Sequence, residues 1–141
     1  MTTSKYSFFE IKNFIIYKCG CDDNEVTYDC DIVNDLGYWG DDLDEIIDEY
    51  SKKFNVDMST YLWYFHAKEE GHNIGSVFFK APDERVKHIA VTPTLLLESA
   101  NSGRWLVSYP EHKLPKKRYD IMVNQVLVLM IIVFFIYKCA K

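Results

Sequence analysis

Leu43, Ile46, Ile47, Tyr50 and Phe54 stand at i, i+3, i+4, i+7 and i+11, a spacing that puts all five on one face of an α-helix. Asp44, Glu45, Asp48 and Glu49 fall on the opposite face. Gly37 and Gly40 mark a turn just before the helix, and Asp41 stands where an N-cap would. Asp41 and Asp42 in the first turn suit the positive end of the helix dipole. The rest of the chain has to cover the apolar stripe of this helix, so the core is expected to be organised around residues 43–54.

Two further helices are readable. Residues 4–18 carry Phe8, Phe9, Ile11, Phe14, Ile15 and Tyr17 in a broad apolar stripe, predicting a first helix packed on the core. Its polar face is too weakly basic for a membrane-surface helix. Thr92 followed by Pro93 supplies an N-cap and a first helical residue, and Gly103 a stop. Leu95, Leu96, Leu97, Ser99 and Ala100 lie between them, and Trp105 and Leu106 are expected to fold back onto the core. Val26, Tyr28, Ile32 and Val33 read as anchors of an Asp- and Asn-rich loop. The run Tyr61, Leu62, Trp63, Tyr64 and Phe65 reads as one closed side of the bundle, with His66 and His72 as surface or capping groups. Residues 73–90 are consistent with either a short strand or an irregular packed segment around Ile74, Val77, Phe78 and Phe79.

Charge narrows the function. Residues 1–110 hold 10 Lys and Arg against 19 Asp and Glu, whereas residues 111–141 hold 6 against 2. An acidic body argues against nucleic acid, whose phosphates need a basic surface, and favours a protein partner with a basic surface. Cys19, Cys21, Cys30 and Cys139 read as free thiols of a reducing compartment, since Glu10, Lys12 and Asn13 interrupt any secretory signal. Cys19-x-Cys21 with Cys30 fits no standard zinc spacing, and an EF-hand register begun at Asp29 and Asp31 fails at Val33. The expectation is therefore no metal. With no nucleophile–base pair and no Gly-rich phosphate loop, no enzyme is expected either.

The C-terminal part reads as a basic linker, 108–119, and a hydrophobic tail, 120–141. Ile121–Tyr137 is apolar except for Asn124 and Gln125. As a helix its 17 residues span about 25 Å, against a hydrocarbon core of roughly 30 Å. A single membrane anchor through residues 121–137 is the expectation; the alternative is a helix, or a strand given the frequent β-branched residues, buried in this domain or in a dimer. Lys113, Lys116, Lys117 and Arg118 ahead of it place the acidic domain on the cytoplasmic side of an inner membrane.

Asp35-Leu36-Gly37, the acidic helix, Phe54 and the exit Val56-Asp57-Met58 together resemble the acyl carrier protein family. More closely, Asp35–Asp42 (D-L-G-x-x-G-D-D), Phe54–Asp57 (F-x-V-D) and Thr92–Trp105 (T-P-x-x-L-x-x-x-A-x-x-G-R-W) resemble a bacterial family, domain of unknown function 1493. The resemblance implies a mainly α, acyl-carrier-like bundle over residues 1–107 with an irregular insertion, followed by the hydrophobic helix. It places Gly40 at the position of the serine that carries phosphopantetheine. A glycine has no hydroxyl to esterify, so no cofactor is implied. The expected function is a non-catalytic interaction domain that meets its partner through Asp41, Asp42, Asp44, Glu45, Asp48 and Glu49. The alternative is a genuine carrier using Ser51 or Ser59.

Overall fold

A computed structural model describes residues 4–141. The architecture is mainly α: α1 Phe8–Cys19, α2 Gly40–Phe54, α3 Pro93–Ser102 and α4 Tyr119–Cys139, with short 3-10 turns at Trp63–Phe65, Ile74–Val77 and Asp83–Arg85. No strand occurs among the described residues; one isolated parallel bridge joins Asp57 to Arg104.

α1 begins in a capping box, where Ser7 and Glu10 satisfy each other's backbone N–H groups, and ends at Gly20 in the left-handed region, φ 61°. It starts three to four residues later than the apolar stripe predicts. Only Ile11, Phe14 and Ile15 are buried on it, while Phe9 and Tyr17 face solvent. α2 matches the predicted stripe residue for residue, since Leu43, Ile46, Ile47, Tyr50 and Phe54 are its buried positions. The predicted N-cap does not hold: Trp39 is the cap residue, without a side-chain bond, and Asp41 lies inside the first turn. Gly40, at φ 48°, lets the chain enter the helix one residue early. α3 is capped as expected by Thr92, whose hydroxyl accepts from Leu95 N at 3.1 Å, with Pro93 first and Gly103 at the C-cap.

These helices meet over α2. Phe14 of α1 stands edge-on to Phe54 at 5.6 Å, and the Tyr50 hydroxyl donates to the Leu96 carbonyl of α3 at 2.6 Å. Each large side chain buried here contributes about 1.5–3 kcal/mol of transfer free energy, so this aromatic–aliphatic centre dominates the stability of the bundle. Val26, Ile32 and Val33 anchor the 20–39 loop in the core, whereas Tyr28 stays exposed and stacks on Phe8. Trp105 folds back and is buried; Leu106 remains exposed.

The 108–119 segment does not run free. Tyr109 packs on Phe65 with ring centroids 4.7 Å apart, and His112 bonds the Tyr64 hydroxyl at 2.7 Å. α4 then starts two residues before the apolar run, and its 21 residues reach about 31 Å. Its side chains are exposed nearly throughout, so it does not pack into the bundle.

The root of α4 is latched to the 73–77 turn. Asn73 donates to Asp120 at 2.8 Å, the Asn124 amide donates to Asn73 at 2.8 Å, and Gly75 N donates to the Asn124 carbonyl oxygen at 2.7 Å. Arg118 donates to Asp120 and, through both terminal nitrogens, to Glu69. A methyl group on Gly75 would overlap the backbone carbonyl of Asp120. Gly75→Ala is therefore expected to break the latch, losing a hydrogen bond worth about 1 kcal/mol and speeding amide exchange at residue 75 by about fivefold. Hydrogen exchange followed by mass spectrometry reads this directly, and unchanged protection would refute it.

Candidate functional site

The start of α2 carries the most distinctive chemistry of the body. Asp41, Asp42, Asp44 and Glu45 are all exposed there, and no cation pairs with them among the described residues. Partial burial, and then the charge of Asp41, raise the carboxyl of Asp44 above its usual range. The two other predicted docking residues differ from these four. Asp48 pairs with Lys52 one turn on at 2.5 Å, and Glu49 is half-buried and paired with Lys18 of α1. The six-residue face therefore divides into an open end and a closed end.

Beside the open end lies a shallow cavity of about 200 Å³, floored by Gly40, Asp41 and Asp44 and walled by Trp63, Ala67 and Glu70. The Glu70 side chain occupies the space a Cβ on residue 40 would need, and the φ of 48° strains any L side chain there. Of the alternative serines, Ser51 spends its hydroxyl on the Asp48 carbonyl at 2.7 Å within α2, and Ser59 lies beyond the helix in a turn closed by Asp57.

Two buried polar centres sit deeper, and neither follows from local sequence. His66, which the sequence presents as a surface or capping group, is fully buried. The Tyr109 hydroxyl accepts from Trp105 Nε1 at 2.8 Å and Leu62 N at 3.1 Å, so its own proton goes to His66 Nε2 at 2.8 Å. That fixes the imidazole proton on Nδ1, which donates to the Ile89 carbonyl at 2.8 Å. Burial pushes the imidazole down to about 4 from an ordinary 6.5, so it is neutral near pH 7. With both nitrogens occupied and no solvent path, the ring locks the aromatic wall together and does not serve as an acid or base.

Asp31 is the second centre. It belongs to the acidic loop, yet is nearly buried instead of solvated. Its carboxylate accepts from Val33 N at 3.1 Å, Val91 N at 3.3 Å and the Asn34 amide at 2.7 Å, and pairs with His88 Nε2 at 2.6 Å. One side chain thus ties the 30–37 loop to the strand-like approach to α3. Tyr61 stacks on the His66 ring and stands edge-on to Trp105.

Among the described residues, no group of three or more His, Cys, Asp or Glu is placed to hold a metal ion. Burial pushes the Cys19 thiol up to about 12, which makes it a poor nucleophile, and Cys30 is buried with its thiol on the Thr27 carbonyl. The signals that sequence reasoning missed are polar residues in apolar settings. His66 follows an aromatic run, and Asp120 and Asn124 stand at the head of an apolar one, where each needs a partner.

No curated protein and no solved structure matches this chain. A family model does, over residues 6–108, well beyond half of the sequence and including α1, α2, α3 and the acidic start of α2. The chain belongs to the family described as Protein of unknown function (DUF1493).

Proposed function

We propose that the body acts as a non-catalytic, acyl-carrier-like interaction domain that carries no prosthetic group, docks a basic partner through the start of α2, and is tethered to a membrane by α4. The observation that carries this reading is the open acidic end of α2. Four exposed carboxylates stand within the first two turns with no salt bridge to any of them among the described residues, and partial burial and the charge of Asp41 already raise the Asp44 proton affinity. Such a cluster repels itself, and a basic partner surface relieves the repulsion on contact. Gly40 supports the absence of an arm, because its backbone is strained for serine and Glu70 lies over it. Nothing in the setting of Ser51 or Ser59 favours the carrier alternative. The length and exposure of α4 support a single span, and Lys113, Lys116 and Lys117 before it, all exposed, favour a cytoplasmic body on an inner membrane.

The test is capture of the full-length chain from native membranes beside a variant carrying Asp41→Asn, Asp42→Asn, Asp44→Lys and Glu45→Lys. Asparagine at the first two positions avoids placing cations at the positive end of the helix. A partner is expected to be retained by the native chain, to bind the variant at least about tenfold more weakly, and to dissociate as salt rises. Circular dichroism confirms that the variant is folded. Equal capture by both forms would sink the docking face. An intact mass above that of the polypeptide, by a prosthetic group, would restore the carrier reading.

A further inference from the structure

The 73–79 segment was expected to be a strand or a packed piece. Instead it is a turn that leaves Ile74 at 59 %, Val77 at 81 %, Phe78 at 69 % and Phe79 at 44 % exposure, the densest exposed apolar cluster on the body. We propose that this turn is a second membrane contact, entering the headgroup–acyl boundary of the same bilayer that α4 crosses. The inference rests on the anchor reading of α4.

Its position carries the argument. The latch of Asn73 and Gly75 onto Asp120 and Asn124 holds the turn against the first two turns of α4. Phe79 lies 5.6 Å from Tyr119 and shares an apolar groove with Met122, Val123 and Val126. Whatever surrounds the root of α4 must therefore also surround Ile74, Val77, Phe78 and Phe79. At the mouth of a membrane span that medium is the interfacial layer, where aromatic side chains concentrate. Lys80 follows the cluster directly, and Lys116 and Lys117 stand at the same root, all three exposed and suited to anionic headgroups.

The span's own length agrees. Ile121–Tyr137 alone covers about 25 Å, short of a core of roughly 30 Å. A body whose apolar turn sinks into the boundary makes up part of that shortfall by thinning the bilayer locally. Asn124, which would otherwise bring a bare amide into that layer, has its carbonyl oxygen on Gly75 and its nitrogen on Asn73.

The experiment uses the full chain in vesicles of phosphatidylcholine and phosphatidylglycerol. Some of the phosphatidylcholine is brominated either near the headgroup end of its acyl chains or near their tips. Phe78→Trp and Leu129→Trp are compared with the unaltered chain, whose Trp39, Trp63 and Trp105 give the background. Both substituted positions are exposed, so neither change disturbs the fold. The expected result is that shallow bromines quench the added emission of Phe78→Trp by roughly half, while deep bromines preferentially quench Leu129→Trp, at the midpoint of the span. Quenching at residue 129 but not at 78 overturns the inference and leaves the anchor standing. If neither is quenched, the anchor itself fails and the inference falls with it. A blue shift at residue 78 that grows with protein-to-lipid ratio, without bromine quenching, means that a second copy covers the turn, which also overturns it.

Discussion

Replacing Asp31 with alanine is expected to destabilise the body by about 3–5 kcal/mol, one of the largest single-residue effects available outside the aromatic centre. The change strands the buried N–H of Val33 and that of Val91, each of which loses its acceptor. A buried donor left unpaired costs about 1–3 kcal/mol, and the Asn34 and His88 contacts go as well. Asp31→Asn separates the contributions. It keeps the shape and one acceptor oxygen but turns an amide nitrogen toward Asn34 or His88, and is expected to cost about half as much. Urea unfolding of the detergent-solubilised chain measures both. An Asp31→Ala midpoint within error of the unaltered protein would show that the 30–37 loop is held by something other than this carboxylate.

The second large effect is set by pH. The folded His66 titrates near 4 and its unfolded counterpart near 6.5, so between these values the unfolded chain binds more protons. Stability from this group is thus complete above pH 6.5 and is lost as pH falls toward 4. The full linkage is about 3 kcal/mol, of which about 2 kcal/mol is spent between pH 7 and pH 5. His66→Gln should be less stable than the native chain at pH 7, because the imidazole contacts to Tyr109 and Ile89 are weakened. Its stability should nevertheless fall less between pH 7 and pH 5, by about the same 2 kcal/mol. Parallel pH profiles for the two proteins would mean that the imidazole is not the titrating group.

Both residues show where sequence reading stops. α2 is legible because its evidence is local: five apolar side chains at helical spacing, two glycines ahead, Phe54 at the end. α3 is legible for the same reason, through Thr92, Pro93 and Gly103. Besides the local bonds of Asp31 to Val33 and Asn34, His66 and Asp31 find partners 23 to 60 residues away, and nothing in the spacing around either announces that distance. Composition pulled each toward the surface, His66 beside Lys68 and Glu69, and Asp31 among Asp22, Asp23, Asp29 and Asp35. The N-cap of α2 was misplaced because Gly40 enters the helix at a positive φ, which residue preference alone does not reveal. The six acidic positions were readable as one face. Their division into an open and a paired end depends on Lys18, which arrives from α1. The apolar tail was readable as a helix, while its latch depends on a turn some 45 to 50 residues upstream.

That latch has a mechanical meaning. A body joined to its span by a free, flexible connector behaves as a weight on a string, sampling a hemisphere whose radius the connector sets. Here Tyr109 and His112 pin the connector down, and Asn73, Asp120 and Asn124 clamp the body to the root of its helix. The assembly is a bracket. With α4 in a bilayer, the acidic end of α2 would stay at one height and one tilt, and its search for a partner would run across a plane, favouring partners whose basic surface lies at the same height.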